Sequence, residues 1–233
     1  LSYLAAHPET AKTIALKLGR RFVEDVPSQQ FINDIAASYT SSGGDIKTTL
    51  QAVYKHSDFK SAFGKKLKRP GEDYVSVART LDVYPNFTRL QKWKGITREF
   101  TFPAVVANEL ARMGHAPLSW PFPDGYPDVA TSWVNANYQV LRWNVYGNFV
   151  QGHTWNQPTW DSLLTVRETN LDKQIDQISQ LLLFKELGSA DRTSVRNAVT
   201  KVFGANPDMN NSYRDITALI TRLIFQLPVW SLR

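Results

Sequence analysis

From Ala11 to Phe225 the apolar residues of this chain recur at three- and four-residue steps, the spacing that lines up one face of an α-helix. Ala11, Ile14, Ala15, Leu18 and Phe22 form one such stripe behind Pro8, which suits a first helical turn because its missing N–H would have no partner there. Ser28 is placed to cap a second helix carrying Phe31, Ile32, Ile35, Ala36 and Tyr39, and Asp45 to cap a third carrying Ile46, Leu50, Val53 and Tyr54. Ser41-Ser42-Gly43-Gly44 breaks the chain between them. Pro70 and Pro103 open further helices through Leu81 and Met113, and Gly114 terminates the second of these. The runs 134–149, 168–187, 191–203 and 213–225 continue the pattern. No segment shows the sustained two-residue alternation of a half-buried strand. The chain is therefore expected to be all-α, an irregular multi-helix bundle with one proline- and aromatic-rich loop, little or no sheet, and a single domain over 1–233.

A chain of 233 residues buries a substantial core without metal or disulfide staples. It contains no cysteine, which excludes thiolate zinc sites, redox pairs, cysteine nucleophiles and disulfides. Apolar runs such as Leu181 to Phe184 are far too short to span a bilayer, so no transmembrane segment is expected. His7, His56, His115 and His153 are scattered, and no metalloprotease helix, nucleophile elbow, phosphate-cradling loop or calcium loop occurs. Neither a metal nor a cofactor is predicted. The chain opens at Leu1 rather than a methionine, which leaves room for an export signal or a preceding domain.

Charge is concentrated in one stretch. Residues 55 to 98 hold eleven basic side chains against four acidic ones, an excess larger than the whole chain's +6. Lys65, Lys66, Lys68 and Arg69 are its densest part, and Trp93 and Phe100 could add stacking. Since no nucleic-acid-binding motif accompanies the charge, the stretch reads as a solvated or docking face, and nucleic acid is not an expected partner.

The stretch from Gly114 to Asn144 is the candidate recognition surface. Pro117, Pro121, Pro123 and Pro127 restrict its backbone, and Trp120 and Tyr126 lie between them as candidate ligand-stacking rings. Trp133, Tyr138 and Trp143, on or beside the following helix, read as core packing. His115, Asp124 and Asp128 are the weak candidate catalytic residues, an imidazole with two nearby acids; a helix cap or loop hydrogen bond explains them adequately. Arg142 and Asn144 could bind a carboxylate or sulfate, or Arg142 could anchor loop carbonyls from a buried position.

HPETAKTIALKLGRRFV near the start, SGGDIKTTLQAVYKHSDF, KLKRP followed by Arg79, the GHAPL, PDGYP and Trp133 block, and the closing ITRLIFQLPVWSLR occur in an order that resembles the C-terminal half of the bacterial DUF1800 family. The resemblance covers essentially the whole chain. It implies a predominantly helical protein of unknown function, exported to the periplasm or beyond, whose missing N-terminal half would be a partner. The family's glycine-aromatic-proline turn falls on Gly125, Tyr126 and Pro127, its tryptophan on Trp133, and its helix arginine and asparagine on Arg142 and Asn144. Tyr126 stands where the family usually has tryptophan, Phe122 where a polar residue is usual, and Val229 where the closing signature carries an acid. The expected function is a recognition or scaffold module binding a glycan or protein partner through the aromatic loop. The alternative is a hydrolase completed by the N-terminal half.

Overall fold

The computed structural model describes residues 2–83, 88–93, 96–152 and 157–233, with the backbone alone over 88–93 and 96–103. His153, Trp155 and Lys94 lie outside the described residues, as do the side chains of Trp93 and Phe100. The chain divides into two compact units. The first comprises residues 1–69, 126–134 and 232–233; the second comprises 70–125 and 135–231.

The first unit contains α1 (Ser2–Ala5), α2 (Pro8–Phe22), α3 (Gln29–Ser41), α4 (Ile46–Lys55) and α5 (Ser57–Lys60). Its starts are capped as the sequence predicts: Ser28 Oγ accepts from Phe31 N at 3.0 Å, and Asp45 Oδ2 accepts from Thr48 N at 2.7 Å. The small residues Ala11, Ala15 and Gly19 recur four apart on the buried face of α2, which lets Phe31, Ile35 and Tyr39 of α3 come close. A single 3-10 turn, Ala130–Ser132, belongs to this unit. So does the backbone bridge between Leu67 and Leu232, flanked by bonds from Gly64 N to Arg233 O (3.1 Å) and from Arg233 N to Lys66 O (2.8 Å).

The second unit contains α6 (Pro70–Thr80), β1 (Thr88–Trp93), β2 (Ile96–Thr101), α7 (Phe102–Arg112), α8 (Ala136–Gln151), α9 (Trp160–Leu163), α10 (Leu171–Leu183), α11 (Ser189–Phe203) and α12 (Tyr213–Gln226). A 3-10 turn, Pro228–Ser231, closes it. Helix α12 is central: it packs against α8, α10 and α11, and Ile216, Ile220, Ile224 and Phe225 are wholly buried. Burying each such side chain contributes roughly 1.5–3 kcal/mol of gross stabilisation.

The fold is all-α, 65% helical, as the periodicity indicates. Among the described residues its only sheet is a two-stranded antiparallel ribbon, in keeping with the little sheet expected, with β1 paired to β2 from Thr88 opposite Thr101 to Trp93 opposite Ile96.

Gly19 makes the close approach of α2 testable. A Cβ there would lie 2.5 Å from Pro27 Cγ and 2.9 Å from the Phe31 ring. Alanine gains at most about 1 kcal/mol in helix propensity, whereas overpacking a filled site costs about 1–3 kcal/mol. Gly19→Ala is expected to destabilise the protein in urea unfolding; a stabilised variant would show that Pro27 and Phe31 yield without strain.

Candidate functional site

The loop that carries the candidate rings starts where α7 ends. Gly114 turns the chain at φ +74°, and a Cβ there would sit 2.6 Å from the Tyr138 hydroxyl, so glycine is required both by conformation and by space. His115 follows, its N–H bonded to Leu110 O at 2.7 Å and its Nδ1 accepting from Gly71 N at 3.0 Å. The imidazole thus satisfies an otherwise orphan N–H in the first turn of α6. Further on, Trp120 Nε1 donates to Asp124 Oδ1 at 3.1 Å, and Phe122 meets the Trp120 ring edge to face at a centroid distance of 5.7 Å. Trp120 is half-buried, Phe122 is 62% exposed, and Leu118 stands fully in solvent at φ +59°.

In the first unit, Tyr126 lies against Trp133 with ring centroids 5.8 Å apart, and Trp133 is buried with Nε1 donating to Pro127 O at 2.9 Å. The expected core role of Trp133 is its observed one. Tyr126 is half-buried on that ring, so it is a packing residue more than a presented face. Asp128 belongs to an ionic cluster. Its carbonyl accepts from Lys66 Nζ at 2.6 Å, and its carboxylate lies 3.4 Å from the same ammonium, 3.7 Å from Arg21 and 3.9 Å from Arg233.

Lys66 corrects the expectation of a uniformly solvated basic face, because it is only 3% exposed. Its ammonium also donates to Asp25 Oδ1 at 2.5 Å, while Asp25 Oδ2 accepts from Ala130 N at 2.6 Å. Burial alone would raise the Asp25 carboxyl, but the Lys66 ammonium and the Ala130 N–H outweigh it and hold the group below the usual carboxylate range.

Arg142 and Asn144 do not converge. Two residues apart on α8 they diverge by about 200°, and Asn144 is exposed while Arg142 is 1% exposed. Arg142 Nη1 lies 3.6 Å from Asp73 Oδ2, deep in the second unit. Asp73 also accepts from Trp230 Nε1 at 2.8 Å and from the Tyr146 hydroxyl. Burial first, and then the adjoining carboxylate, push the Tyr146 hydroxyl well above the usual phenol range, so it stays protonated and donates. The sequence reading missed Asp73. Pro70, Asp73, Tyr74 and Val77 share the buried face of α6, and that three- and four-residue spacing is the signal that would have placed an acid inside.

The three candidate catalytic residues therefore hold separate structural posts: His115 on Gly71, Asp124 on Trp120, and Asp128 on the cations of the first unit. Among the described residues no group of three histidine or acidic side chains could hold a metal ion, and no helix is long and apolar enough to cross a membrane.

Two measurements check these ionic clusters. Asp73→Ala strands Arg142 in the core and is expected to cost about 3–5 kcal/mol in urea unfolding, more than an exposed acid such as Asp124 changed the same way. Asp25 has a depressed folded pKa, so its contribution is present above the unfolded carboxylate value of about 4 and is lost as pH falls through the folded one. Asp25→Asn should be less stable at neutral pH and lose less stability than the parent below about pH 4. Parallel acid dependences of the two proteins would contradict this.

A family model described as "Protein of unknown function (DUF1800)" matches residues 1–232. No curated protein and no solved structure matches the chain. The ordered sequence blocks and the helical fold agree with that match, and the chain belongs to the DUF1800 family.

Proposed function

We propose that this chain is a recognition module that binds a carbohydrate face through the loop between α7 and residue 125, with Trp120 and Phe122 as the platform. One observation carries the reading: Phe122 is 62% exposed although its neighbour Trp120 is fixed by Asp124, so an aromatic surface is held in place without being buried. Aromatic faces stack on the C–H faces of sugar rings, and a loop ordered beforehand loses little further entropy on binding. His115 Nδ1 holds a backbone N–H, Asp124 Oδ1 holds the Trp120 indole and the Asp128 carboxylate lies beside Lys66, three separate posts that favour binding over hydrolysis. An exported location suits such a ligand and rests on the family resemblance.

Calorimetric titration with cellotriose, xylotriose and chitotriose tests the proposal. At least one should bind, and Trp120→Ala and Phe122→Ala should each weaken it about tenfold, or 1.4 kcal/mol. Phe122→Ala should change stability by no more than about 0.5 kcal/mol, whereas Trp133→Ala should cost about 3–5 kcal/mol. If Phe122→Ala melts as far below the parent as Trp133→Ala does, the loop is a structural plug and the reading fails. Tyr126→Ala is expected to lower stability through Trp133 rather than to act on binding alone.

A further inference from the structure

The first unit has an open cleft of about 460 Å³ with no counterpart in the sequence reading. Phe22, Tyr54, Phe59 and Phe63 line it, and Arg21, Lys60, Lys66 and Arg233 stand around them. The rings are mutually braced. Tyr54 meets Phe22 at 5.6 Å and Phe59 at 5.1 Å, both edge to face, so the wall does not depend on a ligand for its shape. They are also accessible, since Tyr54 is 46% and Phe63 67% exposed. The volume is within the range of small-molecule sites, about 300–1,000 Å³.

Charge selects among the ligands that would fit. Asp25 and Asp128 are both directed to Lys66, with Asp128 also near Arg21 and Arg233. Lys60, exposed at the end of α5, has no acidic partner among the described residues and is free to meet an incoming anion. Lys66 is held in the cluster and acts as fixed charge rather than as a mobile ligand. A wall of ring edges and faces beside the Lys60 ammonium fits an anionic group carried on a ring with an apolar face.

We infer that this cleft binds small anions borne on a ring, either aryl carboxylates or acidic sugars, with the rings of Tyr54, Phe59 and Phe63 packing the body and Lys60 facing the anion. This site is distinct from the loop platform, and it stands or falls without it.

Calorimetry of the whole chain with 2-naphthoate, trigalacturonate and inorganic phosphate, beside neutral 2-naphthalenemethanol and maltotriose, decides the matter. The expected result is saturable one-to-one binding of 2-naphthoate or trigalacturonate, about tenfold tighter than its neutral counterpart and weakened by salt. Whichever of the two binds identifies the source of the ring. Phe63→Ala and Lys60→Glu, both at exposed positions, should each weaken binding about tenfold while the circular dichroism spectrum and melting temperature stay unchanged. The inference is overturned if neither ring-bearing anion binds, if phosphate or the neutral compounds bind as well, or if both variants bind like the parent. Phe122→Ala serves as the control that separates this cleft from the loop, and it should leave the affinity untouched.

Discussion

A single buried carboxylate organises the second unit. Asp73 sits in the first turn of α6, and the groups that answer it come from the middle of α8 and from the last turn after α12. Tyr146, Arg142 and Trp230 would each be costly to bury alone: a phenol, a guanidinium and an indole all need partners once water is removed. Sharing one acid satisfies several of these demands together and makes the register of three elements interdependent. A wholly apolar substitute could be as stable or more so, because desolvation offsets much of the attraction within buried ion pairs. What the carboxylate adds is direction, since its bonds require particular atoms of α6, α8 and the closing turn to face one another.

The first unit uses the same device with the signs reversed. Lys66 is the buried charge, and Asp25 and the Asp128 carbonyl converge on it from segments distant in sequence. Asp25 also takes the Ala130 N–H, so one ammonium fixes the path of residues 128–130, where Trp133 follows and is buried. The consequence for charge is direct. A lysine in the most basic part of the sequence is withdrawn from solvent and neutralised, which argues against reading that whole stretch as one electrostatic footprint.

Local signals were legible where the physics is local. Ser28 and Asp45 cap the helices their spacing indicates because a cap is decided within four residues. Asp45 and Asp215 precede apolar runs of similar spacing yet hold different posts, since Asp45 caps α4 from outside and Asp215 is already the third residue of α12. The position of the β1–β2 ribbon is not legible locally, because Leu90 and Trp93 lie three apart rather than alternating and pairing with residues 96–101 is decided across strands. Lys66 was unreadable from its neighbours, since the acids that bury it lie 41 and 62 residues away. The loop is legible from its prolines, but the separate environments of its rings are not. Tyr126 and Phe122 are both aromatic and both near proline, and only the presence of Trp133 against one of them separates packing from exposure.

The same contrast explains how a loop of this kind stays ordered. Leaving Phe122 in water forgoes about 1.5–3 kcal/mol of burial, so something else must hold the backbone. Polar pins do so at intervals: His115 on Gly71 at the start, then Trp120 on Asp124 across the turn. Pro117, Pro121 and Pro123 reduce the conformations to be lost, which lowers the cost of order without adding a contact. Gly125, at φ +75° with open space around its missing Cβ, then lets the chain reverse where a side chain would be strained. Apolar surface held in solvent by polar pins and proline stiffness contributes little to folding, and that is the physical reason to look for its role in binding.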